Sequence, residues 1–297
     1  MTPPVLPHKD TYFFSWCHKL PLYPYPEWMT LVKTMPFSGN GILAEPLIPR
    51  FHLFYHYLKG DVGIFAARRL LEELEPDVGK RRDRFVCSTS YRKFVSPVQI
   101  GTAAENQSGV WIVAPGDVDV PSLLDSMAGR IVLPQFLGSL KCMAVAAQYG
   151  RAHSLSDYLL AVHLLLRDDL LSSDQALDFL RMPVHMLWGF CAGTLRVDHF
   201  IEVAAKLELA VATILKSGYS SSFGWESEYQ ERWLAFFMER LSSHLYLDCL
   251  AREGLFSWQD DGGLACNESV SQGYNCNVNL PHEPPAVLGL GGTPGIW

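Results

Sequence analysis

Apolar residues along this 297-residue chain fall into two spacings: short continuous runs, and longer stretches that repeat every three to four positions. The first run, Tyr12-Phe13-Phe14-Ser15-Trp16, has the length of a buried strand. Prolines at 21, 24, 26, 36, 46 and 49 then recur too often for a long helix or a central strand. Residues 20–50 are therefore expected as ordered surface loop. From 49 to 74 the spacing turns helical, and the Lys59-Gly60-Asp61 break divides it into two helices. Phe85-Val86-Cys87, Val110-Trp111-Ile112-Val113 and Ile131-Val132-Leu133-Pro134 read as short strands, with a helical turn over 120–127 before the last. Helices are expected over 155–171, 173–180, 197–215 and 228–250, and residues 186–191 as a buried strand. After Gly254 the chain turns to Gly, Asn, Pro and Ser with little periodicity, which predicts a weakly structured tail over 255–297.

Short strands alternating with helices predict a single α/β domain over 1–254. Open sheets of this kind bind ligands at the carboxyl ends of their strands. The loops after Val86, Val113 and Cys191 are thus the places to look for chemistry.

Composition narrows the function classes. Hydrophobic residues make up 48% of the chain and charged residues 19%, enough for a packed core and against wholesale disorder. A net charge of −7 argues against nucleic acid as a partner, and Lys80-Arg81-Arg82-Asp83-Arg84 is too short to reverse that. No run approaches the roughly 18 apolar residues that a membrane span needs. The start MTPPVLPHKD lacks the pattern of a signal peptide, so a cytoplasmic location is expected. Seven cysteines without a CxxC pair point away from a disulfide framework or a structural zinc site.

Several clusters have chemistry to offer. Asp117-Val118-Asp119 follows a strand, where two carboxylates can share Mg²⁺ or Mn²⁺ and grip a diphosphate; the same residues can equally cap the helix that starts near Val120. Tyr91-Arg92-Lys93 follows the Phe85 strand, and a guanidinium suits bidentate contact with phosphate. His153 and Asp157 are four apart, on one face of a helix start, where Ser154 also begins a capping box. In the last helix Arg232, Phe236, Glu239 and Arg240 share a face beside an apolar stripe of Trp233, Phe237, Leu241 and Leu245. His18 and Lys19 follow the first strand. His52 and His56 share a helical face but lack a third ligand, so packing accounts for them. GxGxxG before a helix, GxxxxGK[ST] and GxSxG are all missing from the sequence.

Taken in order, these segments resemble a family of bacterial glycosyltransferase-like proteins from capsular-polysaccharide and O-antigen clusters. Phe13-Phe14-Ser15-Trp16-Cys17-His18-Lys19 resembles the family's first strand and the Thr-His-Lys after it. The stretch from Asp83 through Tyr91-Arg92-Lys93-Phe94 resembles an Asp-Tyr-Ile-Gly strand ending in His-Tyr-Arg-Arg-Phe. Ile131-Val132-Leu133-Pro134, then Gln148-Tyr149 with His153 and Asp157, match later segments, and Arg232 through Leu241 resembles the closing Arg-x-x-Gly-Phe-x-x-Glu-Arg-Leu helix. The order holds over about residues 12–250. Departures include Lys93 for Arg, Ser90 for His and Ala235 for Gly. Asp117 and Asp119 lie in a stretch longer than the family's and rest on local reasoning.

The resemblance implies a GT-A-like domain over 1–254, with a central mostly parallel sheet flanked by helices and a long C-terminal helix. It implies transfer of a sugar from a nucleotide-sugar donor to a growing glycan. A lipid-linked acceptor and peripheral association with the inner face of the membrane are compatible with that reading. His18, Lys19, Tyr91, Arg92, Lys93, His153, Arg232 and Arg240 are the expected donor- and substrate-binding residues. Asp157 or Glu239 is the expected catalytic base, and Asp117 with Asp119 the expected metal pair. The rival expectations are a non-catalytic carbohydrate-binding scaffold on the same fold and a metal-dependent hydrolase using Asp117 and Asp119.

Overall fold

The computed structural model describes residues 5–105, 109–116, 119–138, 144–189, 192–218, 232–258 and 264–278. Strand β1 (Thr11–Cys17) is buried at all seven positions. A strand that is apolar on both faces must be covered on both, and a central place in a parallel sheet provides that. β1 pairs in parallel with β2 (Met29–Lys33) on one side and with β4 (Phe85–Ser90) on the other. The remaining strands of this sheet are β3 (Ile42–Leu43), β8 (Ile131–Leu133), β11 (Gly193–Arg196) and β14 (Val270–Gln272). The seven-stranded order is β14-β8-β11-β4-β1-β2-β3, parallel except for β11.

Alternate residues of β1 serve different layers. Tyr12, Phe14 and Trp16 enter the helical core, while Phe13 and Cys17 enter a second one on the opposite face. The helical side holds α1 (Phe51–Leu58), α2 (Gly63–Leu74), α4 (Val145–Ala152), α5 (Leu155–Arg167), α6 (Ser173–Arg181), α7 (Val197–Lys216) and α8 (Trp233–Arg252). Arg68 and Arg69 of α2 donate to Glu208 of α7 at 2.8 and 2.7 Å and tie two of these helices together. The second core lies under a four-stranded sheet, β5 (Lys93–Ser96), β15 (Tyr274–Val278), β7 (Val110–Val113) and β6 (Thr102–Ala103), with α3 (Val120–Ser126) beside it. Among the described residues no helix is long and apolar enough to cross a membrane.

The structure departs from the sequence expectation in three places. The proline-rich stretch 20–50 contains β2, because Pro26 and Pro36 lie outside the five residues that pair with β1. Of the expected strand over 186–191, residues 190 and 191 lie outside the described residues, and the rest is the end of β10 (Val184–Met186) followed by a turn, since Trp188 and Gly189 take φ of 67° and 58° and cannot continue an extended chain. The expected tail begins later than 255. The described residues between 256 and 278 form β12 (Phe256–Trp258), β13 (Leu264–Cys266), β14 and β15, and the last two join different sheets. Their Asn, Ser and Gly residues carry no helical or alternating pattern, yet the backbone ladder needs none once a partner strand is supplied. Residues 279–297 lie outside the described residues. The remaining described strand, β9 (Phe136–Gly138), pairs antiparallel with β10.

Gly273 is where the chain leaves β14 for β15. A Cβ there would lie 2.3 Å from Val95 Cγ1 and 2.7 Å from the Ser96 carbonyl oxygen. Gly273→Ala is therefore expected to cost about 1–3 kcal/mol through overpacking. Urea denaturation of the full chain measures this; unchanged stability would show that β14 and β15 are not docked in this way.

Candidate active site

Two loops meet at the carboxyl edge of the large sheet. Trp16 is in register with Ser90, so β1 and β4 end level with one another. His18 and Lys19 leave the first strand, Tyr91 and Arg92 the second. The His18 ring meets Tyr91 edge-on at 4.4 Å, while Lys19 Nζ lies 4.9 Å and Arg92 Cζ 5.4 Å from the Tyr91 ring centre. The Leu22 N–H donates to the Tyr91 carbonyl at 2.7 Å and fixes the loop from below. Partial burial, with Lys19 and Arg92 close by, holds the His18 imidazole below its ordinary pKa.

Lys93 opens β5, its backbone N–H donating to Ser90 Oγ at 3.2 Å. Its ammonium lies 5.0 Å from the Trp188 ring centre. The Trp188 N–H in turn donates to Glu239 Oε1 at 3.1 Å. A tryptophan with φ near 67° is an uncommon, strained conformation, so something must hold it. Glu239 does so from one side. Gly189 does so from the other, because a Cβ there would come within 2.3 Å of Ser242 Oγ and 2.9 Å of the Glu239 carbonyl. The turn is seated directly on α8.

The same helix has Arg232, whose charge acts on Lys93, at its N-cap and carries Phe236 one turn later. The His153 ring stacks on Phe236 at 4.4 Å and 20°, and Arg232 Cζ lies 5.6 Å from the Phe236 ring centre. Arg240 turns the other way: it is buried, lies 5.1 Å from the Tyr149 ring centre, and donates to the Phe236 carbonyl at 2.9 Å and Gln148 Oε1 at 3.0 Å. It ties α8 to α4. Asp157 is buried in the first turn of α5, its N–H donating to Ser154 Oγ at 3.3 Å. The expected charged stripe on α8 is thus divided between the edge of the sheet and the interior.

Electrostatics joins the two halves. Burial lowers the pKa of the Lys93 ammonium; Asp61 and Glu239 oppose that shift, and Arg92 and Arg232 add to it. Burial raises the Glu239 carboxyl, against Arg240, Lys93 and the Trp188 N–H, while Asp61 pushes the same way as burial. His185 is buried with Nε2 3.7 Å from Glu239 Oε1, a spacing that suggests an ion pair. Burial, helped by Arg240, pushes the imidazole well below its usual pKa, so the contact is one of a neutral ring with a carboxyl group. Opposite and like charges packed at one edge shift pKa values in the manner of functional sites.

Asp61 and Trp188 were not singled out by the sequence reading. Asp61 lies in the turn that links α1 to α2 and touches β1. The signals were a helix break with an acidic residue and a Trp-Gly pair before a strand, both common enough to pass unnoticed.

The metal pair divides. Asp117 lies outside the described residues. Asp119 caps α3, and its two carboxylate oxygens accept from the Ser122 N–H at 3.2 Å and the Ser122 hydroxyl at 2.6 Å. Those bonds hold its carboxyl below the usual range. The N-cap role is satisfied, and the described residues assemble no divalent-cation cage around Asp119. Ligand atoms of Asp198, His199 and Glu253 come within 4.8 Å of one another at the opposite edge of the sheet. The Arg196 guanidinium binds both carboxylates there and already supplies the positive charge a cation would bring. A cleft of about 530 Å³ opens at that same far edge, lined by Arg130, Arg196, Glu268 and Ser269, and the expected site residues do not line it.

The lowered Lys93 pKa has a consequence of definite sign. Its charge is lost as pH rises through a range below that of an ordinary lysine. Affinity for inorganic pyrophosphate is therefore expected to decline on the alkaline side earlier than free lysine would allow, and Lys93→Arg to remove the decline. Calorimetry between neutral and alkaline pH tests this. A flat profile in the parent protein would place Lys93 away from the anion.

No family model matches the chain, and no curated protein matches it in sequence. Among solved structures, the fold is similar to that of WbbM, a bifunctional glycosyltransferase in its apo form, with a TM-score of 0.64 and 14% identity. The match covers 90% of this chain and 45% of that one, so the chain spans less than half the length of the protein it resembles. The likeness establishes a shared α/β fold with a central, mostly parallel sheet flanked by helices.

Proposed function

We propose that the chain is a nucleotide-sugar-dependent glycosyltransferase whose donor site lies at the carboxyl edge of the large sheet. One observation carries the reading. Arg92 and Arg232 both act on the Lys93 ammonium, so three cations from two separate parts of the chain converge at this edge. Like charges brought together repel, and an anion with several acceptor oxygens is the ligand that relieves the repulsion. The cluster is basic although the whole chain carries −7, so the positive charge is local. The fold shared with a glycosyltransferase, and the sequence resemblance over residues 12–250, agree with a diphosphate as that anion.

In the proposed reaction an acceptor hydroxyl attacks the anomeric carbon of the donor sugar. The bond from that carbon to the diphosphate oxygen breaks, and its electron pair leaves with the nucleotide. Lys19, Arg92, Lys93 and Arg232 meet the charge that develops there. Glu239 takes the proton of the attacking hydroxyl. Burial raises its carboxyl toward the working pH, which favours general-base catalysis, while Oε1 keeps the Trp188 turn in place. Oε2 has no hydrogen-bond partner among the described residues. Tyr91 and His18 line the donor side, and His153 on Phe236 the sugar side. Asp157 and Arg240 support the helices behind. The acceptor is a growing surface glycan, the class implied by the sequence resemblance, and no step is assigned to a divalent cation.

Calorimetry with uridine and guanosine diphosphates tests the donor site. Arg92→Ala and Lys93→Ala are each expected to weaken binding by about tenfold or more, the worth of one charged hydrogen bond. A parent protein indifferent to every nucleoside diphosphate would sink the proposal. Glu239→Gln keeps an oxygen for the Trp188 N–H and is expected to retain nucleotide affinity while lowering turnover by about 10²–10⁴-fold. Loss of both together would make Glu239 a structural residue instead.

A further inference from the structure

β15 supplies more than a strand to this edge of the molecule. Asn277 is in register with Lys93 across the antiparallel pair with β5, and the N–H of the next residue, Val278, donates to the Arg92 carbonyl at 2.8 Å. Directly opposed residues of an antiparallel pair project from the same face of the sheet. The Asn277 side chain therefore leaves β15 on the face from which Lys93 reaches Trp188.

Asn275, two residues earlier on that face, shows what a structural asparagine looks like here. It is fully buried, its Oδ1 accepts the Gln135 N–H at 3.1 Å, and its Nδ2 donates to the Gln135 carbonyl at 3.4 Å. Asn277 differs. It is 8% exposed, and its buried Oδ1 has no partner among the described residues. A buried amide oxygen without a hydrogen bond is destabilising, and its persistence beside a ligand site calls for a donor that arrives from outside. An anion cannot be that donor. A hydroxyl can.

We infer that Asn277 is a sugar-recognising residue, its side-chain amide accepting a hydroxyl of the transferred sugar beside Lys93. The inference rests on the donor site proposed above and extends it to a residue from a segment without apolar pattern. Lys93 and the arginines hold the diphosphate, and Asn277 reads the ring attached to it. Sites built to hydrogen-bond a substrate hydroxyl discriminate strongly against analogues that lack it, because the buried partner is then left unpaired. Asn277 thus contributes to the choice of sugar rather than to the choice of nucleotide.

The test is the ratio of two dissociation constants, that of a nucleoside diphosphate over that of the matching nucleotide-sugar, measured by calorimetry over uridine- and guanosine-linked hexoses. In the parent protein the ratio is expected to reach about tenfold for the preferred sugar. Asn277→Leu, which has the same branching and number of heavy atoms but no acceptor, is expected to bring that ratio to about one with diphosphate affinity unchanged. Its melting temperature is expected to be maintained or raised, since an unsatisfied buried group has been removed. A ratio that stays at its parental value, equal losses for both ligands, or a variant that no longer folds would each overturn the inference. A parent protein that binds diphosphate but has a ratio near one with every sugar would overturn it as well and leave the donor site standing. Absence of diphosphate binding in the parent protein would remove the donor site itself.

Discussion

The whole arrangement depends on the two-sided burial of β1. Its side chains alternate between Tyr12, Phe14 and Trp16 on one face and Phe13 and Cys17 on the other, and each large one is worth about 1.5–3 kcal/mol when removed from water. Neither face can be left open at that cost. The helices close one face and the small sheet with α3 closes the other. With β1 held centrally and in parallel with β4, their following loops emerge side by side at one edge. His18, Lys19, Tyr91 and Arg92 meet there as a result of how the core is covered, not of any attraction between them. Like charges packed together repel, and the two strands set their separation against that repulsion.

The same logic explains why α8 contributes to the site although it is almost wholly interior. It is buried around most of its circumference, including Arg240, Ser242 and Ser243, so its register against the sheet is tightly specified. Glu239 accepts the Trp188 N–H from one side of that register and Arg240 reaches Gln148 on the other. A residue's distance from the carboxyl edge of the sheet is then decided by its rotation about the helix axis. Arg232 and Glu239 face the sheet's edge, while Arg240, next to Glu239 in sequence, is turned into the core. Fixed donors and acceptors of this kind suit the proposed transfer, in which charge migrates to a leaving group, because little reorganisation is left for such a step.

Much of the fold could be read from the chain. β1, the helix pair divided at Lys59-Gly60-Asp61, and the helices starting at Leu155, Ser173 and Val197 all follow from apolar spacing, with Ser154 as the legible cap. The cluster of Tyr91, Arg92 and Lys93 was also legible, since it follows a strand of unmistakable apolar character. Other parts were hidden. β2 lay among prolines, and β14 and β15 lay in a stretch with no periodicity. The turn at Trp188 broke a run that reads as continuous strand.

What the sequence by itself determined was therefore local: which segments must be buried, on one face or two, and which loops follow them. That information resides in residues a few positions apart, where helix and strand periods are expressed. Tertiary structure alone decided which of those loops face one another, that Asp61 stands near Lys93, that Glu239 holds Trp188, and that Asn277 lies opposite Lys93. Those relations join residues far apart in the chain through strand register and helix rotation. Both are settled by packing of the whole core, and no short stretch of sequence carries them.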